Sequence, residues 1–546
     1  MGKVTLNEAS NLALPLVDAI RKEGGLPPHE QAIKAGRLIL EYETLFGSQW
    51  ISADGMLWHF DGPSGKVSPI SLRSPDFGNI LAYRYGVFRT EPFTRHIVAQ
   101  IEAWASVRAV KRPLRRFSCY EDGKLYVTGF DGTAWKLDGN AVVQVPNGDG
   151  ALFMEEGGEP CPVEVGHHGL LFSALVGDLQ WSTETDSGMG PDLQAATFLS
   201  WILACGFHDR FPSKPLLLVE GVERSGKSYA LKRVQYVLTG KNRAMIIGER
   251  GQDQFPINLL HAAPIAILDN QDTPIEWLKD EVAAYTTNGG WPRRRLYTDT
   301  DDLYIRPESF IAVTSRDPKT FRRPDIADRC FLIRLEQRPT TSGEYDMQVK
   351  LAAMRGKLFG EWLWYCNEVV RYLHEPLPAS FAYRLADMAQ FIHAAVRAFS
   401  ATTEQAAQIA DAILSAAQRE RDALVLEEEP LAEIVRGWVQ ENPDRQLTMM
   451  ELYQELGGRV AGLLKWPTTV QGFTRFWRRV EPIVTRGMQI ERTWHRGIRR
   501  VKFSLANAKN SPDANDASGV SAVTGLESLD LFGDGRKSAI RDNGAN

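Results

Sequence analysis

One stretch constrains this chain more than any other: Gly221-Val222-Glu223-Arg224-Ser225-Gly226-Lys227-Ser228. It follows the apolar run Leu216–Val219 and precedes Tyr229–Leu238, where apolar residues recur at helical spacing. A strand, a glycine turn and a helix in that order build a cradle of backbone N–H groups. Glycine has no Cβ to keep phosphate oxygens away, and the first helical turn leaves its amides unpaired and positive. Every fixed position of G-x-x-x-x-G-K-[ST] is filled. Lys227 is expected to reach the β- and γ-phosphates of ATP, Gly221, Ser225 and Gly226 to line the loop, and Ser228 to ligate Mg²⁺. The same eight letters can arise as a chance glycine turn; the flanking strand and helix favour phosphate binding.

A phosphate loop needs a second element, and residues 261–272 offer one. Residues 264–268 read as a buried strand, and Asp269 stands at its C-terminal tip, where a carboxylate can hold the magnesium water shell. Capping of a following helix is the plainer use of such an aspartate. Asn270 follows where a motor ATPase usually carries the glutamate base; Asp272 and Glu276 are both open as substitutes. A further strand, 310–314, ends in Thr314-Ser315-Arg316, where Arg316 can touch a γ-phosphate. The segment 322–329, Arg-Arg-Pro-Asp-Ile-Ala-Asp-Arg, supplies cations for the γ-phosphate of a neighbouring subunit, Arg329 first, with Arg322 and Arg323 behind it. Salt bridges with Asp325 or Asp328 would use the same arginines on a solvated helix.

The order of these elements resembles the AAA+ core. More narrowly, it is similar to the superfamily 3-type helicases and the ATPases of phage and plasmid primase-helicases. Arg316 departs from the asparagine those proteins often carry. The resemblance covers roughly 190–425 well and 428–505 loosely. It implies an α/β P-loop AAA+ core, a parallel sheet with helices on both faces, over 190–340, followed by a helical lid over 341–425 in which Arg384 is a candidate sensor. ATP would be hydrolysed between subunits of a homo-oligomeric ring, a hexamer. The β-rich segment before the loop looks like the domain preceding the ATPase in such phage proteins, without the acidic triad of a primase.

The rest of the chain adds domains around that core. Residues 1–185 read as an N-terminal α+β domain: a helical start broken at Gly24-Gly25, then short alternating runs punctuated by Asp-Gly and Gly-Asn turns. Residues 182–192 read as a linker. Between Asp269 and Thr314, the stretch 286–305 reads as a hairpin. Arg293, Arg294 and Arg295 could neutralise DNA phosphates there and Trp291 could stack on a base, unless they pair with Asp299 and Asp301. In helicases of the resembled type a hairpin at this place points into the central channel.

Net charge is −5, so DNA contact must come from local patches. From Lys465 to Lys502 there are ten Lys and Arg against two Glu. Residues 428–505 read as helices followed by two strands, a winged helix with Phe473, Phe476, Trp477 and Val480 on one helix side and Arg478, Arg479, Arg499 and Arg500 as DNA contacts; docking to a protein is the other use of this pattern. A regulator that binds DNA under ATP control, or a small-molecule kinase, would also use the phosphate loop; the kinase leaves the arginine segment and the basic end unexplained.

Five cysteines without a CxxC pair predict neither zinc nor disulfides. The absence of an 18-residue apolar run predicts no membrane span, and the cytoplasm of a bacterial host is the expected compartment. Residues 506–546 are too polar to bury a core. Within them Ser528-Leu529-Asp530-Leu531-Phe532 resembles the peptide by which bacterial replication proteins bind the sliding clamp, with Ser528 where glutamine is usual; a chance cluster, or a strand docking on its own protein, is the alternative.

Overall fold

The computed structural model describes residues 17–505 except 21, 23–26, 155–156, 184, 186–187, 243, 246–250, 288–290, 295–301, 306–307, 339–342, 376–384, 401, 428–429, 444, 461–465, 486–487 and 496–497. The helix Pro28–Leu45 begins at a proline, whose fixed φ and missing N–H suit a first turn. Strands β1 (Gln49–Ala53) and β2 (Met56–Asp61) pair through Asp54 and Gly55, with φ of 49° and 72°, the two-residue turn whose twist matches that of a hairpin. With β3 (Lys66–Pro69) and β4 (Val110–Lys111) they form a sheet ordered β3-β2-β1-β4, and the helices Pro75–Tyr85 and Pro92–Arg108 share its core.

That unit encloses a buried charge cluster. Glu43 accepts from Arg84 Nη1 at 3.0 Å and the Tyr85 hydroxyl at 2.7 Å, and His59 Nε2 lies 2.8 Å away. Arg84 Nη2 donates to Asp61 at 2.6 Å. Burial works against the Glu43 carboxylate, but His59 and Arg84 outweigh it and hold its pKa at about 2.

Strands β5 (Ser118–Glu121), β6 (Lys124–Thr128), β7 (Thr133–Leu137) and β8 (Val142–Pro146) form an antiparallel meander. Its inner residues Leu125, Val127 and Leu137 belong to the same core as Trp201 and Trp362, far along the chain. Among the described residues, the meander and the sheet β3-β2-β1-β4 therefore do not share one core. A meander has one apolar face and needs a second layer, and here helices of the central body provide it. Gly139 N donates to Asn367 Oδ1 at 3.0 Å across that junction.

The central body contains β9 (Leu216–Gly221), β10 (Ala244–Met245), β11 (Ile265–Leu268), the hairpin β12 (Trp291–Arg294) and β13 (Asp302–Ile305), β14 (Phe310–Ser315) and β15 (Cys330–Leu335). Five of these strands form one sheet, ordered β10-β11-β14-β9-β15, and every pair in it is parallel. Both faces are covered. Leu217 and Val219 point into a core shared with the helices Pro191–Ala204 and Lys227–Thr239; Leu216 and Leu218 point into another, shared with Phe255–His261 and Glu276–Thr286. This explains why these strands read as unbroken apolar runs rather than alternating ones.

The helices Glu344–Leu373, Ala386–Phe399 and Thr403–Leu426 follow. Gly356 and Gly360, one turn apart, let the chain at Pro162–Glu164 lie directly on the long helix: a Cβ at either would meet a carbonyl oxygen at 1.8 or 1.9 Å. The segment 182–192 does not act as a loose linker. Ser182 N donates to Arg334 O at 2.9 Å, Thr183 N to Glu336 Oε1 at 3.1 Å, and Met189 is buried.

The helices Pro430–Glu441, Met449–Gly457 and Val470–Val484 enclose a core with a three-stranded sheet, β16 (Gln446–Leu447), β17 (Met488–His495) and β18 (Ile498–Leu505), ordered β16-β18-β17. Thr448 starts the second helix in a reciprocal capping box with Glu451. Arg384, Arg295 and residues 506–546, including Ser528–Phe532, lie outside the described residues. Among the described residues no helix is long and apolar enough to cross a membrane.

Candidate functional site

The loop 221–226 runs from the C-terminal end of β9, the second strand from one edge of the parallel sheet, into the helix Lys227–Thr239. Gly226 caps that helix with φ 87°, a left-handed conformation that glycine adopts without strain. Beside the loop is a cavity of about 660 Å³, bordered by Lys227, Ser228, Asn270, Asp272, Arg316 and Arg338, with Tyr229 and Met347 also on its wall. Such a volume is in the usual range for a small-molecule site.

Three strand ends meet there. Asp269, just past β11, accepts from Ser228 Oγ at 2.5 Å and from Thr314 Oγ1, on β14, at 2.6 Å. Among the described residues no group of three or more His, Cys, Asp or Glu could hold a metal by itself. A serine hydroxyl beside one carboxylate is instead the hard-oxygen pair that suits Mg²⁺ when phosphates and water complete the shell. Lys227 Nζ donates to the carbonyls of Gly221 at 2.5 Å and Val222 at 2.8 Å. Partial burial lowers its pKa from the usual lysine value, while the Asp272 and Asp269 carboxylates pull it back up.

Asn270 borders the cavity in the left-handed region, φ 56°, where asparagine is among the tolerated residues, and its N–H donates to Thr314 Oγ1 at 3.0 Å. Of the two spare carboxylates, Asp272 borders the cavity; Glu276 is exposed and pairs with Lys279 at 2.8 Å. Asp272 accepts from Arg316 N at 2.7 Å, Arg316 Nε at 2.6 Å and Ser315 Oγ at 3.0 Å. Burial opposes this carboxylate, but those bonds hold it below its ordinary range. Arg316 also reaches Glu223 of the loop at 2.6 Å, and so spans the cavity mouth.

The arginines of 322–329 are placed differently from one another. Arg329 is 9% exposed, and its Nη1 donates to Asp325 O at 2.9 Å and to Thr286 Oγ1 at 3.4 Å, tying two helices together. Arg322 bridges Asp317 at 3.0 Å and Glu427 at 2.5 Å. Arg323 is the most exposed of the three at 33% and pairs with Asp280 and Asp325 at 2.6 Å.

Arg293 and Arg294 lie on β12, opposite Leu303 and Asp302. Arg478 and Arg479 are on the helix Val470–Val484, with Arg478 exposed; Phe473, Trp477 and Val480 of that helix are buried. Arg499 and Arg500 lie on β18, opposite Trp494 and Thr493. Trp494 is 72% exposed, the outlying aromatic of this unit.

Sequence reasoning missed Arg338, Tyr229 and Asp178, which meet at the cavity. Arg338 Nη2 lies 3.3 Å from Asp178, and Arg233 Nη1 donates to the same carboxylate at 2.7 Å. No local period links these residues; a tyrosine directly after the lysine and serine was the nearest signal.

No known family matches the sequence, and no curated protein matches it. Among solved structures, the apo structure of the NrS-1 C-terminal region (305–718) aligns with a TM-score of 0.43 and 8% identity over 87% of this chain and 99% of that one. The A form of the same region aligns with a TM-score of 0.44 and 9% identity over 87% and 100%. Similarity at that level carries no argument about what this chain does.

Proposed function

We propose that this chain is an ATPase of the P-loop, AAA+ type that acts on DNA, as a replicative helicase or replication initiator of a phage or mobile element. One observation above all supports this: Ser228, from the first turn of a helix, and Asp269 and Thr314, from two strand ends, are joined by hydrogen bonds beside the glycine loop. Amides at the start of the helix Lys227–Thr239 bind phosphate oxygens, and Lys227 leaves its loop carbonyls for the β- and γ-phosphates. Ser228 and Asp269 would hold Mg²⁺, which when bound would neutralise charge on the transferring phosphate. Asp272 orients the attacking water once Arg316 moves from it to the γ-phosphate. ATP lies between subunits of a homo-oligomeric ring, a hexamer, and an arginine of the neighbour's 322–329 segment stabilises the transition state. Arg323 suits that role better than Arg329, because a finger must leave its own subunit.

The β12–β13 hairpin contacts DNA through Arg293 and Arg294. The unit 430–505 is a winged helix whose Arg478, Arg479, Arg499 and Arg500 meet phosphates. A second reading, an ATP-gated DNA-binding regulator without unwinding, is favoured by Asn270 in place of an acid.

The test is ATP turnover with and without single-stranded DNA, together with strand displacement, in the wild type and in Lys227→Ala. Turnover that DNA stimulates and Lys227→Ala abolishes is expected. Equal turnover in both proteins would overturn the nucleotide reading; turnover without strand displacement would leave the regulator.

A further inference from the structure

The phosphate-binding reading assigns no role to Arg338, which follows β15. Its side chain is 10% exposed. Its Nε is buried without a hydrogen-bond partner, and its buried Nη2 makes no hydrogen bond but stands 3.3 Å from the Asp178 carboxylate. The Asp178 ion pair offsets part of the cost of burying this charge, but a buried donor without a hydrogen bond still loses hydration that no acceptor replaces. These two nitrogens form the edge of the guanidinium that grips an anion by two parallel bonds.

That edge lies over the phosphate loop. A Cβ built on Gly226 would meet the Arg338 guanidinium carbon, Nε and Nη2, each at 2.8 Å. Side chains of the same chain hold the guanidinium there. It lies 5.8 Å from the ring centre of Tyr229, which carries Arg233 at 4.8 Å as well, and Asp178 stands against both arginines. Arg316 and Asp272 form a separate pair on the wall of the same cavity, which Ser228, bonded to Asp269, also lines.

We propose that Arg338 is a nucleotide-contacting residue that acts within its own subunit and grips the α,β-diphosphate through Nε and Nη2, at the end of the cavity formed by Tyr229 and Met347. This rests on the phosphate-binding reading of the loop and deepens it. The ligand class is a nucleoside di- or triphosphate, and the diphosphate is the part that ATP and ADP share. Arg338 therefore acts on both nucleotides alike, whereas Arg316, bonded to Asp272, acts on ATP alone. Tyr229 and Asp178 are positioning residues for Arg338.

The experiment is equilibrium binding of ATP and of ADP, each with Mg²⁺, to the full chain. The proteins are wild type, Lys227→Ala, Arg316→Ala, Arg338→Ala and Arg338→Lys, with each one's melting midpoint measured without nucleotide. Arg338→Ala is expected to weaken ATP and ADP equally, by about ten- to a hundredfold, the loss of a charged two-bond contact. Arg338→Lys should recover part of it, since lysine offers a point charge and no fork. Arg316→Ala should weaken ATP and leave ADP unchanged. If the wild type binds neither nucleotide, the phosphate-binding reading falls and this inference with it. If the wild type binds and Lys227→Ala does not, while both Arg338 variants bind as tightly as wild type, the inference alone is wrong. Should Arg338→Ala melt early, the lysine variant decides: weaker ADP binding at an unchanged midpoint upholds the contact, and wild-type ADP binding refutes it.

Discussion

Two glycine-to-alanine changes, both inside helices, should move local stability in opposite directions. Gly356 faces the carbonyl oxygen of Pro162, which a new Cβ would meet at 1.8 Å, whereas Gly437 has nothing within 4 Å of that position. Real contacts to Cβ stay beyond about 3.0 Å, so the Pro162 carbonyl must withdraw by about 1.2 Å, the difference from 1.8 Å. That movement also pulls at the hydrogen bond from Glu164 N to Gly356 O, at 3.3 Å. Overpacking of this kind costs about 1–3 kcal/mol and a lost hydrogen bond about 1, against a gain of about 1 from alanine's better helix propensity. The net is a loss of about 1–3 kcal/mol. Gly437→Ala meets no obstacle and should gain about 0.5–1 kcal/mol. Amide hydrogen exchange read peptide by peptide suits a chain of several packed units, where a single unfolding free energy is ill defined. Exchange in Leu351–Leu363 should speed up roughly five- to a hundredfold in Gly356→Ala, and exchange in Leu431–Val439 should slow in Gly437→Ala. Unchanged or slower exchange in the first variant would refute the close approach of Pro162–Glu164 to the long helix.

Glu43 titrates at about 2 in the folded chain against an ordinary 4.5, so it stabilises the folded state above pH 4.5 and that contribution is lost as pH falls from about 4.5 to 2. The shift corresponds to a contribution on the order of 3 kcal/mol, and Glu43→Gln should flatten the acid dependence of melting in the N-terminal unit; an identical acid profile would mean the cluster is not ionised as described. Arg329→Ala removes a buried tie between two helices and should lower the melting midpoint, whereas Arg323→Ala should leave it nearly unchanged and abolish turnover. Turnover regained on mixing Arg323→Ala with Lys227→Ala subunits would mark a finger acting across the interface; no recovery at any ratio would count against it. Trp494→Ala, at a side chain 72% exposed, should change stability by under about 0.5 kcal/mol yet weaken binding of DNA; unaltered binding at low salt would remove Trp494 from the interface.

What could be read in the sequence is what local chemistry dictates. The loop 221–228 is contiguous, and its neighbours Leu216–Val219 and Ile265–Leu268 are apolar throughout because both faces of those strands are covered. The Asp54-Gly55 and Asp122-Gly123 turns carry their own signal, since each needs two positive φ values in a row. Glu43, His59, Asp61 and Arg84 gave no such signal. Each reads as a solvated charge, and only the meeting of a helix, a strand and a second helix makes burial tolerable by pairing the charges with one another. The meander misled for a related reason. Its alternation announces an apolar face but not which distant helices will cover it.

Arg329 shows the limit most clearly. Its motif is that of an arginine offered to a neighbour, yet β15 begins at the next residue, Cys330, which is buried. A buried side chain at the foot of a strand has little freedom to point outward, even though β15 is at the sheet edge, and Asp325 O and Thr286 take its donors. Arg323, six residues earlier, precedes the helix Pro324–Ala327 and keeps its head near solvent, held by carboxylates that a phosphate could replace. Arg338 presents the opposite case: no motif marks it, but a buried Nε without a hydrogen bond, beside Gly226 of the loop, does. In both arginines the decisive fact is where the donors already go, and pattern alone does not carry it. An arginine whose bonds are complete within its own subunit has little to gain from a ligand, while one held in place with a buried donor still unbonded would gain that bond from an anion.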